Sequence, residues 1–135
     1  MEPRIIEFDT HVSSGKIEIT VLETTQIAGF KINRIFWLTN AVKGEERGNH
    51  AHKSAYHVIF AIEGKIEVLI KSQTGASQVF LLDSPHKGLL LPPNFWRVVQ
   101  YLDFKTIQMV ASSAVYDPDD YILDYKEFLH HQYYL

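Results

Sequence analysis

Apolar and polar positions alternate in short runs along most of this chain. Ile17, Ile19 and Val21 are interleaved with Glu18, Thr20 and Leu22, and Ile32 to Leu38 is rich in β-branched and aromatic residues. Similar runs follow at Val58–Ile62, Lys65–Lys71, Gln78–Leu82, Gly88–Leu91, Trp96–Tyr101 and Thr106–Ala111. Alternation with a period of two, repeated between turn residues, predicts an all-β sandwich or barrel. Glu63-Gly64 reads as a tight hairpin turn, and Gln73-Thr74-Gly75-Ala76-Ser77 as a looser one. Pro92-Pro93-Asn94 must interrupt a ladder, because neither proline has an N–H to donate. The period changes only at the end of the chain. From Asp119 onward, Tyr121, Ile122, Tyr125, Phe128 and Leu129 form one helical stripe, with Pro118 at its start.

Composition narrows the class. The chain has 135 residues, 46% of them hydrophobic and 21% charged, enough for one packed domain spanning 1–135. A net charge of -3 gives no electrostatic reason to expect a nucleic-acid or membrane-surface partner. No cysteine is present, which excludes disulfides and thiolate chemistry. No apolar run is long enough to cross a bilayer as a helix, and Met1 to Thr10 lacks the apolar core of a signal peptide. The expectation is a cytoplasmic domain. The ending His130-His131-Gln132-Tyr133-Tyr134 reads as a frayed tail or a contact between subunits rather than a site.

The chemistry concentrates in Arg47-Gly48-Asn49-His50-Ala51-His52-Lys53-Ser54-Ala55-Tyr56-His57. On a strand His50 and His52 share a face, whereas His57 joins them only if the chain bends or bulges. Gly44, His50, His52, His57 and Gly64 are spaced in a way that resembles the first motif of the cupins. Gly88, Pro92 and Arg97 resemble the second, with Arg97 where a cupin often has its fourth metal ligand. Three imidazoles suit a metal-dependent cupin enzyme using His50, His52 and His57. They equally suit proton transfer near neutral pH. A guanidinium cannot ligate, so Arg97 ranks proton transfer above metal.

The run Arg47-Gly48-Asn49-His50-Ala51-His52-Lys53 is similar to the RGxHAHK signature of the nucleotide-sugar 3,4-ketoisomerases, WxcM-like cupins that use no metal. Asp83-Ser84-Pro85, Gly88-Leu89, the Pro92-to-Arg97 segment, and Tyr116-Asp117-Pro118-Asp119-Asp120-Tyr121-Ile122-Leu123-Asp124-Tyr125 with Phe128 extend the resemblance; Glu23 and Arg34 also match it. It implies a cupin-type jelly-roll β-barrel with one short C-terminal helix, assembled as a homodimer. In that dimer, the strand-like Arg4-Ile5-Ile6-Glu7-Phe8 would pair with the other subunit's sheet.

The implied reaction moves the carbonyl of a dTDP-linked 4-keto-6-deoxy sugar from C4 to C3, in deoxy-sugar and polysaccharide biosynthesis. A carbonyl shift through an enediol needs a base at one carbon and an acid/base at the oxygens, but no redox cofactor. The resemblance makes His52 the base at C3 and gives His50 the sugar oxygens. Arg34, Arg47, Lys53, Trp96 and Arg97 are the candidate substrate-binding residues, with His57 an additional pocket residue. The alternative without catalysis is a nucleotide-sugar-binding cupin. This chain departs from the family at four places: Phe36-Trp37 replaces a Tyr-Tyr pair, His57 a glutamine, Val98 a glutamate, and Ser14 an Arg or Tyr. Arg97, rather than His, is similar to the branch that retains configuration at C4.

Overall fold

The computed structural model describes residues 1–131; Gln132 to Leu135, and with them most of the terminal His-His-Gln-Tyr-Tyr run, lie outside the described residues. Two five-stranded antiparallel sheets face each other. The first comprises β1 (Arg4–Glu7), β9 (Lys87–Leu91), β6 (His57–Glu63), β11 (Ile107–Ser112) and β4 (Arg34–Leu38), in that spatial order. The second runs β12 (Tyr121–Ile122), β5 (Glu46–His52), β10 (Trp96–Tyr101), β7 (Ile66–Lys71) and β8 (Ser77–Leu82). A separate hairpin joins β2 (Asp9–Val12) to β3 (Glu18–Val21). The architecture is the expected cupin-like jelly roll, but its sheets remain two facing layers and do not close into a barrel.

Alternation explains the layers. Inward residues of both sheets, among them Ile59, Ile66, Val68, Leu82, Leu89, Leu91 and Val110, form one buried core. The opposite face of the first sheet buries Ile6, Val58, Phe60 and Leu90 with Ala28 and Phe30. Ala28 belongs to α1 (Thr24–Ala28), a five-residue helix too short to leave a periodic signal. The outer face of the second sheet buries Ala51, Trp96 and Ile122 beneath Phe128 of α2 (Tyr125–His130).

Two expectations need correction. Glu63-Gly64 is not a hairpin: β6 and β7 belong to opposite sheets, and the turn carries the chain from one to the other. Gly64 has φ 80°, and a Cβ there would collide with Thr106, which packs into the corner. The C-terminal helix starts later than its stripe suggests. Pro118–Asp120 is a single 3-10 turn, and Tyr121 and Ile122 pair with His52 and Ala51 of β5. The α-helix begins only after Asp124, whose carboxylate accepts the Lys126 N–H at 3.0 Å. β1 pairs with β9 of the same chain, Arg4 opposite Leu90, and as the outermost strand of its sheet it keeps its other edge open. The loose turn at Gln73–Ser77 joins β7 and β8 as expected, and the prolines fall between β9 and β10.

Candidate active site

A cavity of about 300 Å³ opens between the sheets on the flank formed by β4 and β11 on one side and β5 and β12 on the other. Arg34, Arg47, His50, His52, His57 and Arg97 all line it. The bend predicted for His57 exists. The chain leaves the second sheet after His52 and enters the first at His57, which brings the imidazoles together from facing sheets.

A bulge in β5 completes the wall. Arg97 faces His50 and Val98 faces Gly48, so Asn49 is the extra residue. Gly48 and Asn49 take φ of 99° and 54°, and a Cβ at Gly48 would stand only 3.0 Å from the Arg97 carbonyl oxygen. Strict alternation would set Arg47 and His50 on opposite faces; the inserted residue lets both line the cavity.

His52 sits in a hydrogen-bonded relay. Its Nδ1 lies 3.0 Å from Oδ2 of Asp120. An ionised carboxylate only accepts, so the proton rests on Nδ1 and Nε2 carries a lone pair. That Nε2 lies 3.2 Å from Nε2 of His50, which is then the donor between them. Asp120 is itself held by the Ser54 hydroxyl at 2.6 Å and the Ser54 N–H at 2.9 Å. The Asp120 carbonyl accepts the Lys53 N–H, and Asn94 N–H donates to the His52 carbonyl at 2.7 Å. Tyr121 lies on the His52 ring with centroids 4.3 Å apart.

At the inner wall, Arg97 Nη1 donates to Nδ1 of His57 at 2.7 Å. Arg97 is 4% exposed, yet its Nε and Nη2 have no partner among the described residues. A buried guanidinium with two nitrogens free of protein partners can receive a negative charge on a bound molecule. Arg34 closes the other side, its guanidinium 4.5 Å from the Phe36 ring and 5.2 Å from that of Tyr116.

The field of this site keeps the imidazoles neutral. Burial first and the Arg97 charge second push His50 down to about 4. The same two causes lower His52, against the opposing pull of Asp120, and hold His57 well below its ordinary value. Burial tends to raise Asp120, but hydrogen bonds from Ser54 and His52 outweigh it and leave the carboxyl below its usual value. Burial brings Arg97 down to about 9, which leaves it cationic at neutral pH.

Two sequence candidates fall outside the cavity. Trp96 is buried on the opposite face of β10, against Tyr125 and Phe128 with centroids 5.2 and 5.7 Å away, and holds α2 in place. It is a core residue, because Arg97 points inward and its neighbour must point outward. Lys53 lies in the turn after β5, and its side chain does not line the cavity. Conversely, Asp120, Tyr121 and Gln108 had no assigned role in the sequence. Gln108 accepts the Tyr101 hydroxyl at 2.6 Å on the cavity wall. No group of three or more His, Cys, Asp or Glu side chains is placed to hold a metal ion among the described residues. Arg97 occupies Nδ1 of the third imidazole instead.

The chain is similar in sequence and in fold to known proteins. The family model described as FdtA: WxcM-like, C-terminal matches residues 1–133. A TDP-4-oxo-6-deoxy-α-D-glucose-3,4-oxoisomerase from Aneurinibacillus thermoaerophilus is 30% identical over 128 residues, covering 95% of this chain and 91% of that protein. The crystal structure of WlaRA, a TDP-fucose-3,4-ketoisomerase from Campylobacter jejuni, superposes with a TM-score of 0.88 at 28% identity, over 96% of this chain and 94% of that one. QdtA, a sugar 3,4-ketoisomerase from Thermoanaerobacterium thermosaccharolyticum solved in complex with TDP, gives 0.87 at 25% identity, over 95% and 92%.

Proposed function

This chain belongs to the FdtA, WxcM-like family, and on that premise we propose that it is an isomerase of TDP-linked 4-keto-6-deoxy sugars that moves the carbonyl from C4 to C3. The observation that carries the mechanism is the Asp120–His52–His50 relay opening into a cavity floored by the unsatisfied Arg97.

The C3 proton goes to Nε2 of His52, which the Asp120 contact at Nδ1 leaves unprotonated, once the sugar takes the place of the His50 N–H there. The C3–H electron pair becomes the C3–C4 double bond, and the C4 oxygen becomes an enolate. Arg97 supplies preorganised donors, Nε and Nη2, to that charge from a buried position. His50 relays the O3 proton to O4, and return of the held proton to C4 leaves the carbonyl at C3. Protons and electrons balance within the sugar, so the step uses no external oxidant or reductant. Burial keeps the imidazoles unprotonated at pH 7, so Nε2 of His52 offers a lone pair rather than a proton.

The cavity, near the small end for ligand sites, takes a hexose, with the diphosphate left towards the mouth. Arg47 is exposed there and suits a phosphate oxygen, with Arg34 reaching from the facing sheet. The test is incubation with TDP-4-keto-6-deoxyglucose in deuterium oxide, followed by NMR. A 3-keto product supports the reading, with C4 carrying either the proton returned from His52 or solvent deuterium exchanged onto that ring; unchanged sugar that nevertheless binds points to a non-catalytic sugar-binding cupin.

The same reading includes a cytoplasmic homodimer. No helix among the described residues is long and apolar enough to cross a membrane. Val12, Ile17 and Ile19 on the β2–β3 hairpin, and Ile35 and Trp37 on β4, are apolar and exposed. A second copy would cover such surface. Sedimentation showing only single-chain mass at micromolar concentration would refute the dimer.

A further inference from the structure

His57 has no part in the relay from Asp120 to His50, yet it is one of the most completely enclosed polar residues in the cavity wall, at 3% exposure. Its ring stands edge-on to that of His52, with centroids 4.4 Å apart and planes at 77°. The decisive contact is the 2.7 Å hydrogen bond between its Nδ1 and Arg97 Nη1. A guanidinium has five N–H donors and no lone pair to offer, so Nδ1 must be the acceptor. A neutral imidazole that accepts at Nδ1 carries its only proton on Nε2. Arg97 therefore fixes the tautomer of His57 as Asp120 fixes that of His52, but in the opposite sense. One ring becomes an acceptor at Nε2 and the other a donor there.

Building on the ketoisomerase reading, we propose that His57 is a further catalytic residue: a neutral imidazole that donates its Nε2–H to an oxygen of the keto sugar. The sugar oxygen that gains negative charge as the C3–H bond breaks then meets donors from Arg97 and His57 on one wall, while the base attacks from His52. A neutral donor suits this position, because a second cation beside the buried Arg97 would meet like-charge repulsion. It strengthens its hydrogen bond as charge develops, without giving up its proton.

Nitrogen-15 NMR of the wild-type protein tests this directly. The expected spectrum shows a pyrrole-type Nε2 and a pyridine-type Nδ1 for His57. TDP-4-keto-6-deoxyglucose should shift the Nε2–H resonance, and TDP alone should not. A protonated Nδ1, or an Nε2–H indifferent to the keto sugar, overturns the proposal. If the resonance responds but wild-type protein forms no 3-keto product, the isomerase reading fails and the donor assignment stands.

In the active enzyme, H57L should lower kcat about 10²–10³-fold with little change in KM, the usual worth of one such donor. Because H57L also strands Arg97 Nη1, H57Q provides the control: its amide can accept from Arg97 and still donate, and should keep kcat within about tenfold of wild type. Equal losses in both variants, or unchanged kcat in a folded H57L protein, would rule out donation by His57.

Discussion

The two flanks of the sandwich are built from the same alternating strands and end in opposite conditions. On the flank where β9 faces β7 and β8, Leu89, Leu91, Val68 and Leu82 are fully buried, and apolar contact saturates the space. On the flank between β4–β11 and β5–β12, inward positions carry Arg34, His50, His52, His57 and Arg97 around a cavity. Packing makes the first flank stable without direction. The second depends on hydrogen bonds that fix where each proton sits, and it keeps donors in reserve. The difference predicts a separation: substitutions in the cavity flank should act on turnover, and those in the packed flank on stability.

The largest effect expected is that of H52N. Removing the base should cut turnover about 10²–10⁴-fold while TDP still binds. Full turnover in a folded H52N protein would take His52 out of the mechanism. Next is L89A on the packed flank, which should destabilise by about 2–5 kcal/mol, as deletion of a buried leucine side chain generally does. Measured by denaturant unfolding and by activity per folded molecule, it should leave kcat within a factor of about two. A drop in kcat comparable to that of H52N would show that the two flanks are coupled.

A smaller effect follows from pH. His50 titrates at about 4 in the folded chain against about 6.5 unfolded, and His52 and His57 shift in the same direction. The unfolded chain therefore binds more protons in between. The stability these groups contribute is fully present above about pH 6.5 and is lost as pH falls towards 4. The melting temperature should decline across that window, whereas kcat should stay level from pH 8 down to about 5, because the bases remain neutral there. A kcat that halves near pH 6.5 would mean that the imidazoles are not desolvated as the cavity implies.

How much of this contrast the sequence carried depended on range. The pairing of His50 with His52 follows from the period of two, and the packed flank from the apolar runs of β7 and β9. Alternation also implies that, if Arg97 faces inward, Trp96 faces outward. Arg47 defeats alternation because Asn49 is inserted between paired residues, and only the Gly48-Asn49 dipeptide hints at it. Asp120 was unreadable in its role because its partner is 68 residues away. Its helical stripe gave the wrong element for the same reason. Tyr121 and Ile122 form ladder contacts with β5 that local periodicity does not encode. A tight turn such as Glu63-Gly64 likewise fixes a reversal of direction but not the sheet to which the next strand belongs.

The smallest effect is the most discriminating test of where the cavity flank ends. Lys53 belongs to the same histidine-rich run as His50 and His52, and a cation beside a diphosphate site invites a binding role. The structure gives that residue a different contribution: its backbone N–H donates to the Asp120 carbonyl at 2.8 Å, steadying the residue that orients His52. Any side chain leaves that N–H in place. Its ammonium lies off the cavity wall, and an exposed or half-exposed charge of this kind is worth little through a high dielectric. K53A should therefore change stability by no more than about 0.5 kcal/mol and leave KM and kcat within about twofold. K53P removes the N–H itself and should lower kcat by at least tenfold. A large rise in KM for K53A would return Lys53 to the phosphate site and extend the cavity flank beyond the sheets to the turn after β5.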